Sequence, residues 1–231
     1  MRAPALLRRC LGAGALAWTC IAGAVPFVVQ VGADRLVLDT PAGFADTLGL
    51  GSPRLNELAE SVAGPSVRVL AFGITDADMR RFMTGDTPEF KRYVVAGTAR
   101  EFERLRATQD DFKQFVSDAL RGLGEAPPAG SDLRKLLGAA AEGKPMLLAF
   151  LRRDSAVASY IQGTRLASPK RAWNDWDAKP PVLVLVSTSL VMVRGRPVNL
   201  SITIPLEDPA DVEWLEINTR RWLEQIQRLN P

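Results

Sequence analysis

The sequence predicts an α+β fold: a mainly antiparallel sheet with helices packed on its faces and a long amphipathic helix near the C-terminus. Three observations lead there. Strand-patterned segments come in neighbouring pairs separated by short polar turns, as antiparallel hairpins require. Helical stripes with capping residues fall between and after these pairs. Asp208-Pro209-Ala210-Asp211 then opens a final helix whose apolar stripe would cover a sheet. A hydrophobic content of 47% and a charged content of 24% over 231 residues suit a folded globular chain. They argue against a disordered tail or a multi-span membrane protein.

The first residues read as a leader. Arg2, Arg8 and Arg9 precede an uncharged apolar run from Cys10 to Ala24, and Ala22-Gly23-Ala24 supplies the small-residue pattern of a secretory cleavage site. The expectation is a signal peptide over residues 1–24, cut before Val25, with residues 25–231 forming a single α+β domain. A retained membrane anchor is the rival reading, because apolar character continues to Ala33. Pro26 and Gln30 interrupt that run. The Arg8-Arg9 surroundings match twin-arginine export poorly, and Ala17-Trp18-Thr19 before Cys20 does not match a lipoprotein signal.

Along the remaining chain, Phe27–Val31 and Arg35–Leu38 predict an opening hairpin, and Thr40–Phe44 a turn. Ser52 and Pro53 start a helix with Leu55, Leu58, Ala59 and Val62 on one face, stopped by Gly64-Pro65. Val67–Ile74 predicts a buried strand, and Thr75 with Asp78 caps a short helix through Met83. Phe90–Arg104 reads as a strand. Thr108 caps a helix with Asp110 and Asp111 in its first turn and the stripe Phe112, Phe115, Val116, Ala119, Leu120, Leu123. Residues 126–130 form a Pro/Gly-rich loop, and a helix capped by Ser131 runs to Glu142. Met146–Leu151 pairs with Ala156–Leu166, and Val182–Val193 with Pro197–Ile204. In the last of these, Val198, Leu200, Ile202 and Ile204 face a core while Asn199, Ser201 and Thr203 face water. Val212, Leu215, Trp222, Ile226 and Leu229 form the stripe of the last helix.

Composition excludes much chemistry. The chain has no histidine, and both cysteines, Cys10 and Cys20, lie in the leader. The domain after the leader therefore has no imidazole base, no thiolate nucleophile, no thiolate or imidazole metal ligand and no disulfide. No cofactor and no metal are expected. The net charge of +3 is carried by Arg2, Arg8 and Arg9, so residues 25–231 hold 26 basic and 26 acidic side chains. The short clusters Arg80-Arg81, Arg152-Arg153, Arg194-Gly195-Arg196 and Arg220-Arg221 read as solvated turns and helix faces, so no nucleic-acid partner is expected.

The candidate ligand or partner loop is Trp173-Asn174-Asp175-Trp176-Asp177, whose indoles could stack on a flat ligand while Asn174, Asp175 and Asp177 supply hydrogen bonds. The acid pairs Asp76/Asp78, Asp110/Asp111 and Asp208/Asp211 fall at helix starts, where capping accounts for them. Ser155, Ser159, Ser187 and Ser189 are the serines that could pair with a lysine, although no S-x-x-K spacing occurs.

The strand ending Leu38-Asp39-Thr40-Pro41-Ala42-Gly43-Phe44, followed by helix, strands, a late hairpin and a closing helix with Trp214 and Trp222, resembles the PsbP-like α/β/α sandwich. Phe82–Tyr93 resembles a segment of uncharacterised exported proteins of Gram-negative bacteria. The resemblance implies an accessory or assembly role in place of catalysis, and carries over no site residue. The expected function is thus a non-enzymatic binding or envelope-accessory protein, periplasmic or secreted, whose partner is a protein or a small molecule. It would meet a membrane only through a retained leader, anchored in the inner membrane. The alternative is a carboxylate- or serine-dependent hydrolase.

Overall fold

The computed structural model describes residues 25–167 and 181–231. β1 (Phe27–Val31) and β2 (Asp34–Leu38) form the predicted opening hairpin as a separate two-stranded antiparallel sheet. β3 (Phe44–Asp46), α1 (Pro53–Ala63), β4 (Val67–Thr75), α2 (Asp76–Met83) and β5 (Tyr93–Ala99) follow. A 3-10 turn at Arg100–Glu103, α3 (Gln109–Leu120) and α4 (Leu133–Ala139) carry the chain to β6 (Met146–Arg153). β7 (Val157–Leu166), β8 (Val182–Val193) and β9 (Arg196–Pro205) meander back, and α5 (Ala210–Leu229) closes the fold. The seven-stranded sheet has the order β3-β4-β5-β9-β8-β7-β6, antiparallel at every step. The α+β class read from the sequence holds.

Helices lie on both faces of this sheet. On one face, Leu200, Ile202 and Ile204 of β9 pack with Leu215, Trp222 and Ile226 of α5, and Leu36 and Leu38 of β2 join the same core. Burying each of these large apolar side chains contributes about 1.5–3 kcal/mol. On the other face, Phe72, Ile74 and Val95 meet Ala59 of α1 and Met79 of α2. Further along that face, Ala158 and Leu190 meet Phe112 and Val116 of α3. This second layer corrects the expectation that Asn199, Ser201 and Thr203 face water. Thr203 is 8% exposed, Asn199 and Ser201 are half-buried, and Asn199 Oδ1 is buried with no hydrogen-bond partner among the described residues.

Local chemistry explains most boundaries. Thr108 Oγ1 accepts from Asp111 N at 3.2 Å while Asp111 Oδ2 accepts from Thr108 N at 2.8 Å, a complete capping box for α3. The predicted cap of α4 moves by one residue: Asp132 Oδ1 accepts from Lys135 N at 3.1 Å, whereas the Ser131 hydroxyl donates backwards to Pro128 O. α4 also ends at Ala139, short of the predicted Glu142. Ser52 precedes α1 as expected but its side chain makes no capping bond, and Val62 of the predicted stripe is 38% exposed. The strand expected over Phe90–Arg104 occupies only Tyr93–Ala99. β8 and β9 join through Arg194 and Gly195, both at positive φ (51° and 77°), the geometry of a two-residue hairpin turn. Arg196, expected in a solvated cluster, is instead 2% exposed.

Candidate functional site

A groove of about 770 Å³ lies between the β1–β2 hairpin and the β3–β4 edge of the large sheet. Phe27 and Val29, on the core-facing side of β1, form one wall. Phe44, Leu48, Val69 and Leu70 form the other. Two local features place that second wall. Gly43 takes φ +87° in a turn closed by Phe44 N donating to Pro41 O at 3.1 Å, and Thr40 Oγ1 donates to Phe44 O at 2.8 Å. This turn lies close against β4 because position 73 is glycine: a Cβ there would stand 2.6 Å from Val94 Cγ2 and 3.2 Å from Thr40 Cγ2. α5 grips the same segment, with Trp222 Nε1 donating to Asp39 O at 2.8 Å and Trp214 tilted against Phe44 at 6.3 Å between ring centres.

The polar side chains of the groove are Thr40, Asp46 and Asp76. Asp46 Oδ1 accepts from Phe72 N at 3.1 Å and Oδ2 from Gly49 N at 3.4 Å, which fixes the carboxylate at the end of β3. Burial nevertheless pushes its carboxyl above the usual aspartate value, the backbone donors offsetting only part of the desolvation. Asp76 opens α2 with its side chain exposed.

A second, smaller cleft of about 400 Å³ lies between α3 and the β6–β7 turn, with Phe112, Val116 and Ala158 beneath and Lys113, Arg121 and Arg153 around the rim. Its bases are engaged locally: Lys113 Nζ with Asp110 at 2.7 Å, Arg121 with Asp118 at 2.5 Å, and Arg153 over the Phe150 ring at 5.7 Å. Ser155 lines this cleft with Lys113.

The residues singled out in the sequence fare differently. Trp173, Asn174, Asp175, Trp176 and Asp177 lie outside the described residues, as do Ala22 and Ala24. The paired acids lie at helix starts, and Asp78, Asp111, Asp208 and Asp211 accept hydrogen bonds there. Asp78 Oδ1 accepts from Glu89 N at 2.8 Å and Oδ2 from the Thr75 hydroxyl at 3.0 Å. Asp211 accepts from Glu207 N, Asp208 N and Arg92 at 2.7–2.9 Å, and Asp208 accepts from Ala210 N at 2.8 Å. Ser159 and Ser189 are hydrogen-bonded to each other at 2.7 Å, and Ser187 to Thr219 of α5 at 2.7 Å, and all four are buried. Three of the four serines considered for hydrolysis are therefore packing hydroxyls. Among the described residues no group of three or more His, Cys, Asp or Glu is placed to hold a metal ion, and no helix is long and apolar enough to cross a membrane. The groove itself was not foreseen. The Pro41–Phe44 turn signals one of its edges, but nothing local marks Val69 or Leu70 as part of its wall.

Compared with known protein families and with characterised proteins, the chain matches none.

Proposed function

We propose that this protein is a non-enzymatic binding protein of the cell envelope, exported to the periplasm by its leader, which takes a small ligand in the groove between β1 and the β3–β4 edge. The groove is the observation that carries the reading. Its volume of about 770 Å³ falls in the usual range for small-molecule sites, about 300–1,000 Å³, and like such sites it joins apolar walls to a few fixed polar groups. The basic-then-apolar order of residues 2–24 and the Ala22-Gly23-Ala24 motif support export.

Titration with the neutral apolar fluorophore N-phenyl-1-naphthylamine tests the site. Saturable binding to the protein as purified from the envelope is expected, and Leu48→Arg should abolish it without changing the far-ultraviolet circular dichroism. No saturable binding, or equal binding by the folded variant, overturns the reading. Mass spectrometry of the purified protein is expected to show Val25 as the first residue. An intact leader in the inner-membrane fraction would replace the exported form with the anchored one.

A further inference from the structure

Arginine is concentrated at one end of the molecule. The β1–β2 turn (residues 32–35), the 3-10 turn with the loop after it (100–107) and the β8–β9 turn (194–196) together hold six arginines and three acids, although residues 25–231 as a whole carry equal numbers of each sign. These three segments form one surface. Arg196 Nη1 donates to Phe102 O and Leu105 O, and its Nε to Asp34 Oδ2. Ala107 N donates to Gly195 O at 2.9 Å, and Arg194 Nη1 donates to Arg35 O at 3.1 Å. The buried guanidinium of Arg196 thus fixes the segments that carry the exposed ones.

Most of the acids here are already paired. Asp34 is held by both Arg106 and Arg196, and Glu103 by Arg68. Among the described residues the exposed Arg35, Arg100, Arg104 and Arg194 form no ion pair, against one unpaired acid, Glu101. Arg194 stands at φ 51°, a backbone region that side chains other than Asn and Asp seldom adopt, so the turn displays a charge where a neutral residue would fit better. Leu105, between Arg104 and Arg106, is 69% exposed while Arg196 fixes its own carbonyl at 2.6 Å. A large apolar side chain is therefore held in solvent between two arginines of the sequence.

We propose that this end of the molecule docks on a bilayer surface carrying anionic phospholipid headgroups, with Leu105 entering the boundary between headgroups and acyl chains. Guanidinium groups pair well with phosphate, and each basic side chain near an anionic leaflet raises affinity about fivefold. An apolar side chain beside them adds burial to the electrostatic attraction, the combination by which interfacial segments bind. The sequence predicts membrane contact only through a retained leader. This patch is a second route, peripheral and separate from the groove. A soluble polyanion would use the arginines but has no apolar layer to take Leu105, and an acidic protein would need a broader apolar centre than one leucine.

Sedimentation with lipid vesicles tests this on the protein as purified from the envelope. Vesicles of equal parts phosphatidylcholine and phosphatidylglycerol are expected to carry the protein down at about 0.1 M salt and to release it at about 0.5 M. Vesicles of phosphatidylcholine alone should leave it in solution. Arg104→Ala and Arg194→Asn, the second suited to the positive φ, should each weaken binding to the mixed vesicles about fivefold and elute earlier from heparin. Leu105→Ser should weaken vesicle binding about fivefold and leave heparin elution unchanged. All three side chains are exposed, and circular dichroism checks that the variants fold. Equal, salt-resistant binding to both kinds of vesicle would assign the contact to an uncleaved leader and overturn the proposal. Failure to bind the mixed vesicles would overturn it as well, without touching the groove. If the arginine variants lose vesicle binding while Leu105→Ser keeps it in full, the patch is a site for soluble polyanions and the membrane assignment falls.

Discussion

Arg196 anchors the tip of the β1–β2 hairpin. Its Nε donates to Asp34 Oδ2 at 2.9 Å and its Nη1 to the carbonyls of Phe102 and Leu105 at 3.0 and 2.6 Å, so one guanidinium joins the hairpin tip, the start of β9 and the 3-10 turn. Gly32 at φ +58° makes room, since a Cβ there would lie 2.7 Å from Arg196 Nη2. Arg196→Met leaves two carbonyls without their charged donor and is expected to cost about 3 kcal/mol in urea unfolding. The sequence shows Arg196 beside Arg194 in a turn, and its burial follows only from elements some ninety and one hundred sixty positions away meeting there. Asp34, hydrogen-bonded first by Arg106 and then by Arg196, is held at about 2 instead of 3.8. A depressed carboxylate contributes stability that is complete above its unfolded value and lost as pH falls through the folded one. Asp34→Asn should therefore flatten the loss of stability between about pH 4 and pH 2 in acid unfolding curves. Asp39 has the opposite sign. Burial raises its carboxyl, so its contribution is present at low pH and disappears as pH rises through the raised value. Gln225 Nε2 donates to Asp39 Oδ2, and Asp39→Asn, with that amide turned to offer its oxygen, is expected to be at least as stable as the parent at pH 7. A lower melting temperature there would contradict this account.

At the scale of elements, local chemistry was readable and non-local chemistry was not. The α3 cap, the β8–β9 hairpin and the α5 stripe rest on residues within a few positions of one another, and each is found where the pattern puts it. β3 is illegible in the sequence because three residues, Phe44–Asp46, are too few to show a strand's alternation. Its state comes from pairing with Thr75, Ile74 and Gly73 of β4. The α4 cap was misplaced because two adjacent residues both qualify as N-caps, and the choice depends on the approach of the chain from Pro128. Asp132→Ala is accordingly expected to cost about 1 kcal/mol in chemical denaturation, and Ser131→Ala no more than a few tenths. Equal losses would restore the serine as the cap. In α5, Trp222 is 2% exposed and its indole N–H is spent on Asp39 O. Trp222→Ala should cost about 3–5 kcal/mol and, by loosening the 39–44 segment, weaken fluorophore binding in the groove.

For the whole molecule, the fold class was legible because hairpin spacing and helix caps are local signals that together permit few layer arrangements. The groove was not legible, since its walls come from residues 27–29, 44–48 and 69–70, which share no motif and meet only when the hairpin docks. Amide exchange should follow the sheet order, slowest in β9 with β5 and β8 beside it and faster in the edge strands β3 and β6. Uniform exchange across the seven strands would contradict the topology. The central place of β9 has a consequence in time. β3–β4–β5 and β6–β7–β8 can each form as soon as they are synthesised, but they are two half-sheets with facing raw edges until residues 196–205 slide between them. β9 is thus the keystone, and the native sheet cannot close until residues 196–205 are available. Assembly is governed by a late, long-range pairing, and a chain interrupted before residue 196 would expose both inner edges to its neighbours.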